Sequence, residues 1–198
     1  MQFQSQYQSD VYDSVFLLMV NQSIQYVFSK KLDKKTQKQE IEELGFQLGE
    51  KVTNNLLNTE SINNKITQDK NSTDSFLLFI AQYVWEFIFR DKNCQMTKGN
   101  DNTNYVLTSG DIRLYNYLVT EKTNQNDPKL EAVLNFISGI IKGALNVFNI
   151  ECIVIPAVTN YSPHLVKDFS GFAKSQYIFT FNVNVFVDNN EINANKSE

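Results

Sequence analysis

LNFISGIIKGALNVFNI, Leu134 to Ile150, is apolar enough to suggest a membrane span, yet Lys142 stands in its middle with Asn135, Asn146 and Asn149 around it. A spanning helix needs about 20 predominantly apolar residues, and a central lysine costs roughly 2.5–3.5 kcal/mol on insertion scales. This shorter, Asn-marked run therefore reads as a helix buried in protein. Gly139 and Gly143 share one face at a four-residue spacing that lets another backbone come very close. Asp127 and Pro128 supply a cap and a first helical residue, and Glu131 puts an acid in the first turn, where the helix dipole favours it.

A helix buried on all sides needs neighbours, and the N-terminal half offers three. Val11 to Phe28 is apolar at Val11, Val15, Leu18 and Met19 and again at Phe16, Val20, Ile24, Val27 and Phe28. That is more than one stripe, so it reads either as a central core helix or as a helix packed inside on one face and against another subunit on the other. Ile41, Leu44, Leu48, Val52 and Leu56 mark a second helix, interrupted by Gly45 and Gly49. Each of these costs up to about 1 kcal/mol against alanine. Two glycine pairs at this spacing predict two tight helix crossings, within the core or across a subunit boundary. Between these helices Lys30, Lys31, Lys34, Lys35 and Lys38 face only Asp33 before Glu40. They read as a solvated loop and helix start, or as a candidate contact with anionic lipid.

Asn58 to Ser75 is polar and without apolar period, with Ser72 as N-cap for the next helix. Phe76 to Phe89 is apolar almost all round, broken chiefly by Gln82 and Glu86, and predicts a helix enclosed by other elements. Tyr105–Leu107 and Ile112–Leu118 flank TSGD and predict a hairpin turning at Gly110. IECIVIPA and YIFTFNVNVFV read as strands. The second alternates, with Phe179, Phe181, Val183, Val185 and Val187 on one face and Thr180, Asn182 and Asn184 on the other. Ala157 to Gln176 reads as a long connection. The order is three N-terminal helices, a β-hairpin, one helix and two C-terminal strands. This is an α+β fold with helices packed on one face of a small antiparallel sheet. One domain over 11–187 is expected, between a flexible segment 1–10 and a disordered tail 188–198.

The chemistry suggested is binding. The net charge of -4 gives no basic footprint for nucleic acid. Cys94 and Cys152 cannot form a disulfide framework, and His164, the sole histidine, leaves no metal cluster of zinc spacing and no nucleophile–base pattern. No phosphate-binding glycine loop occurs, and no carboxylate pair converges. No catalytic residue, metal or cofactor is expected. The start of the sequence, MQFQSQYQSDVYD, has no basic segment leading into an apolar one, and a reduced cytosolic setting is expected.

Five stretches taken in order, IEELGFQLGEKVTNNLL, FIAQYVWEFIFRDK, NYVLTSGDIRLYNYL, LNFISGIIKGALNVFNIECIV and FTFNV, resemble the small subunits of TRAPP, the transport protein particle, and among them the sixth-subunit branch. The resemblance covers most of the chain. It implies a subunit that pairs with another TRAPP small subunit through its N-terminal helices. The assembled complex would exchange guanine nucleotide on a Rab GTPase and tether vesicles between ER and Golgi, peripherally on those membranes. Val15, Phe16, Met19, Val20, Leu48, Val52 and Leu56 are then the expected heterodimer contacts. A related branch carries an acylated cysteine between the second and third helices, whereas Asn58–Ser75 contains none. The alternative, suggested by the aromatic third helix, is a small-ligand or lipid-binding module in which helices and sheet enclose an apolar pocket.

Overall fold

The computed structural model describes residues 2–59, 72–110, 112, 128–167 and 173–186, the side chains of 2–14 and 160–177 excepted. The first helix, α1 (Gln2–Ser29), begins inside the segment 1–10 that reads as flexible. Asp33 then caps α2 (Lys34–Leu57), accepting the backbone N–H groups of Lys35 at 3.0 Å and Thr36 at 3.1 Å. Those hydrogen bonds and one from the Thr36 hydroxyl hold its carboxyl below the usual range. Ser72 caps the third helix as its position predicts, taking the Ser75 N–H. That helix is continuous but changes pitch. It is α-helical over Thr73–Phe79, π-helical over Ile80–Val84 and α-helical again over Trp85–Phe89, and the three pieces together are α3. Its enclosure is incomplete, because Leu78 and Phe87 remain exposed.

The helix of the opening stretch, α4 (Pro128–Asn146), starts at its proline with Glu131 in the first turn. It closes through Asn149, whose φ of 57° is left-handed, with the Ile150 N–H reaching back to the Leu145 carbonyl at 3.2 Å. From Leu130 to Leu145 nearly every side chain is buried, because α2 covers one side and the sheet the other. Lys142 escapes at the edge and pairs with Glu42 of α2. Among the described residues no helix is long and apolar enough to cross a membrane.

The glycines account for how closely α2 and α4 approach. A Cβ built at Gly45 would overlap the Phe136 carbonyl oxygen and lie 2.9 Å from its carbon, and one at Gly49 would do the same at Ile140. Reciprocally, Gly139 lies against the Glu42 carbonyl and Gly143 against that of Phe46. Partner numbers rise together along both chains, so the helices run parallel. The two pairs thus build a single crossing inside the chain, not the two that their spacing predicts. Asn146 donates to Glu50 at 2.8 Å and extends the seam by a turn.

Four antiparallel strands, β1 (Gln95–Lys98), β2 (Asn104–Ser109), β3 (Cys152–Lys167) and β4 (Ala173–Val185), lie in the order β1-β2-β4-β3. The predicted alternation in β4 holds where side chains are described. Phe179, Phe181, Val183 and Val185 are buried toward the helices, with Tyr105 and Leu107 of β2 beside them. Trp85 of α3 meets Phe181 edge-on at 5.7 Å and binds the layers together.

Two expectations are corrected. The hairpin turns at residues 99–103, with Asn102 at φ 37°, and not at TSGD. Both edges of β2 are occupied, by β1 and β4, where Ile112–Leu118 was expected. Apart from Ile112, that segment lies outside the described residues, as do Asp127, Val187 and the tail 188–198. The Ala157–Gln176 connection is mostly strand, since β3 continues to Lys167 and β4 begins at Ala173, with a register shift between Tyr161 and Val166. β3 is an edge. The Phe186 N–H donates to the Glu151 carbonyl at 2.9 Å, and counting residues by twos turns the backbone of Cys152, Val154 and Pro156 outward. Pro156 thus removes a donor from the open edge, which protects it against pairing with other chains.

Asp74 joins α3 to the hairpin. It accepts from Lys98 at 2.7 Å and from the Tyr105 hydroxyl at 2.6 Å, and these bonds hold its carboxyl below the usual range. Burial first, and then Asp74, push the Tyr105 hydroxyl above its own. Because the folded Asp74 is the weaker base, its contribution is complete above about pH 5 and disappears as pH falls below about 4. Asp74→Asn is therefore expected to flatten the fall of Tm with acid in that window, and an unchanged acid limb would contradict this. Alanine in place of a helix glycine normally gains about 1 kcal/mol. Gly139→Ala is expected to lose about 1–3 kcal/mol in urea unfolding, because the methyl forces α2 and α4 apart. A gain would refute the crossing.

Candidate functional site

The two apolar stripes of α1 meet different fates. Val20, Ile24 and Val27 are buried, and Phe16, Leu17 and Phe28 pack partly against the core. The other stripe has no cover among the described residues: Val15 is 50% exposed, Leu18 44%, Met19 64% and Tyr26 64%. These positions recur at three-, four- and seven-residue intervals and so share one face. Leaving four such side chains in water is costly for an isolated chain, at about 25 cal/mol for each Å² of apolar area.

Beside this face α1 and α2 diverge and enclose a groove of about 780 Å³, with Met19, Tyr26, Val27, Leu44, Glu40 and Glu43 in its lining. One end is pinned by Lys30, whose Nζ lies 2.6 Å from Glu40 and 4.9 Å from the Tyr26 ring centre. The hydrogen bond that it donates to Glu40 holds the Lys30 ammonium above its usual range. Such a surface can seat a partner helix or another elongated apolar group. Among the described residues no cluster of metal ligands occurs there.

The expected contact residues do not all reach this surface. Val15 and Met19 lie on it, and Phe16 is at its margin, half-buried. Leu48 and Leu56 are half-buried against the chain's own core. Val20 and Val52 are buried in that core, 7% and 6% exposed, and leave little area for a partner. Leu18, Tyr26 and Leu44 belong to the surface and were not among the expected contacts. Leu18 was legible in the first stripe, and Tyr26 follows Met19 by seven residues on the same face.

The other candidates also find places. Gly45, Gly49, Gly139 and Gly143 are all consumed by the α2–α4 crossing. Lys30 is engaged, whereas Lys31, Lys34, Lys35 and Lys38 are exposed. Cys94 and Cys152 are free thiols, partly buried. Burial pushes Cys94 up to about 12, with Asp91 nearby adding to it, and Cys152 up to about 11. Both are therefore protonated and poorly nucleophilic near neutral pH. The side chain of His164 lies outside the described residues. The aromatic third helix packs through its rings: Trp85 lies on Phe89 at 4.6 Å and against Phe181 of β4 at 5.7 Å, and Phe76 stacks on Phe148, after α4, at 4.1 Å.

Comparison with known proteins agrees with this architecture. Among curated proteins no sequence matches the chain. Among solved structures it is similar to a trafficking protein particle complex subunit 3 from Naegleria fowleri covalently bound to palmitic acid. The TM-score is 0.63 at 13% identity, over 90% of this chain and 99% of that one, a likeness of fold. The family model of the transport protein particle (TRAPP) component matches residues 16–178, which include the exposed stripe from Phe16 on, the α2–α4 crossing and most of the sheet. The chain belongs to the TRAPP component family.

Proposed function

We propose that this chain is a non-catalytic pairing subunit of a TRAPP-like trafficking complex, and that it joins another small subunit through the exposed stripe of α1 and the groove beside it. The carrying observation is that Val15, Leu18, Met19 and Tyr26 form one uncovered apolar face next to a groove. Single exposed apolar residues are normal, whereas an ordered face of them marks an interaction site. On this reading the chain works in the cytoplasm, peripherally on ER and Golgi membranes. It has no nucleotide exchange activity alone and supports exchange on a Rab GTPase only within the assembly.

For the branch of the family, the cysteines support the sixth-subunit reading. The Naegleria fowleri subunit is covalently bound to palmitic acid. This chain has no cysteine in 58–75, and its two thiols are held protonated elsewhere. We therefore assign it to a branch without the acyl group, the sixth-subunit kind. A lipid-binding module is the second reading, and one observation favours it. Among the described residues the Trp85 indole N–H is buried without a hydrogen-bond partner and offers a donor that a ligand could satisfy.

Two outcomes test this. A tagged chain recovered from cells is expected to bring down other TRAPP small subunits in stoichiometric amount, and Val15→Asp/Met19→Asp to lose them while remaining folded. Partners retained by that variant, or native mass spectrometry showing a bound lipid and no subunit, would favour the second reading. Iodoacetamide at neutral pH is expected to label Cys94 and Cys152 slowly until denaturant is added, and the intact mass to carry no acyl group. Rapid labelling or an acyl adduct would contradict the branch.

A further inference from the structure

We infer that Lys31, Lys34, Lys35 and Lys38 form a docking surface for an anionic membrane, separate from the subunit face of α1. All four are exposed, and among the described residues none of them has an acid within salt-bridge distance. Lys30 does not belong to the surface, since Glu40 and the Tyr26 ring hold it. Asp33, the acid inside the cluster, is turned to the first N–H groups of α2 as its cap and is spent there.

The fold gains nothing from these charges where they stand. The first turn of α2 contains no acid, and Lys34 and Lys35 occupy it at the positive end of the helix dipole. Each cation there is unfavourable by some tenths of a kcal/mol. Lys38 follows Lys34 by four residues and lies beside it on the helix surface. The result is a compact basic patch on a chain whose net charge is -4, so that a negative plane would attract the molecule by this end.

The shape of the patch distinguishes a lipid surface from a discrete anion site. None of the four lysines lines the groove. Lysine also presents a point charge on a flexible stem, without the planar fork by which arginine fixes one phosphate or carboxylate. Four such exposed charges outside the groove suit a diffuse layer of headgroups. Each lysine close to such a surface strengthens binding about fivefold, an effect that salt screens.

The test is sedimentation of the full chain with phosphatidylcholine vesicles, with and without phosphatidylserine, at low and high salt. Binding is expected only with phosphatidylserine and only at low salt. Lys34→Gln and Lys35→Gln should each weaken it about fivefold, and the quadruple glutamine variant should abolish it. Lys51→Gln, an exposed lysine of α2 outside the patch, should leave it unchanged. The inference is overturned if phosphatidylserine gives no binding, if Lys51→Gln weakens binding as much as Lys34→Gln, or if the quadruple variant binds as well as the original chain. Patch-dependent binding to polyglutamate with none to vesicles would also overturn it, in favour of an acidic polypeptide.

Discussion

The fold depends on the contact of two backbones. Where α2 crosses α4, glycine on each helix faces a carbonyl of the other, at Gly45 with Phe136, Gly49 with Ile140, Gly139 with Glu42 and Gly143 with Phe46. No side chain fits between them, so α2 lies against α4 at backbone distance, and α4 is enclosed between α2 and the sheet. A helix in that position can be apolar on nearly every face. Its one lysine must leave sideways, and Lys142 does so by pairing with Glu42 at the rim.

This arrangement also decides what happens to α1. With α4 occupying the buried face of α2, α1 is left at the periphery, where the described residues cover the Val20–Ile24–Val27 stripe and its neighbours Phe16, Leu17 and Phe28 in part. Its second stripe is left over. A family member built in this way has an apolar face to contribute to an assembly.

Much of this was legible in the sequence, for reasons of pattern. The burial of α4, the Ser72 cap, the alternation of β4 and the two stripes of α1 all follow from periodicity or from local hydrogen bonding, which residue order encodes directly. Other features are not encoded in that way. β1, with the sequence QMTK, is a short and mostly exposed edge strand, so no alternation announced it, and the turn was misplaced from Asn102 to Gly110. β3 runs on through NYSPHLVK, whose composition suggests a loop, because β4 pairs with it at Asn160 and Tyr161 and again, after a register shift, at Val166 and Lys167. Stripes also state which residues require burial without stating against what. That is why Val20 and Val52 were assigned to a partner when the chain's own core holds them.

The central claim, that α1 keeps one face for another subunit, is tested most directly by hydrogen exchange read by mass spectrometry on the chain alone and in the complex recovered from cells. The account predicts that the amides of 15–29 exchange readily in the free chain and become strongly protected in the complex, while those of α4 are slow in both. Unchanged exchange in 15–29, with new protection confined to the outer face of the sheet around Ile153 and Ile155, would contradict it.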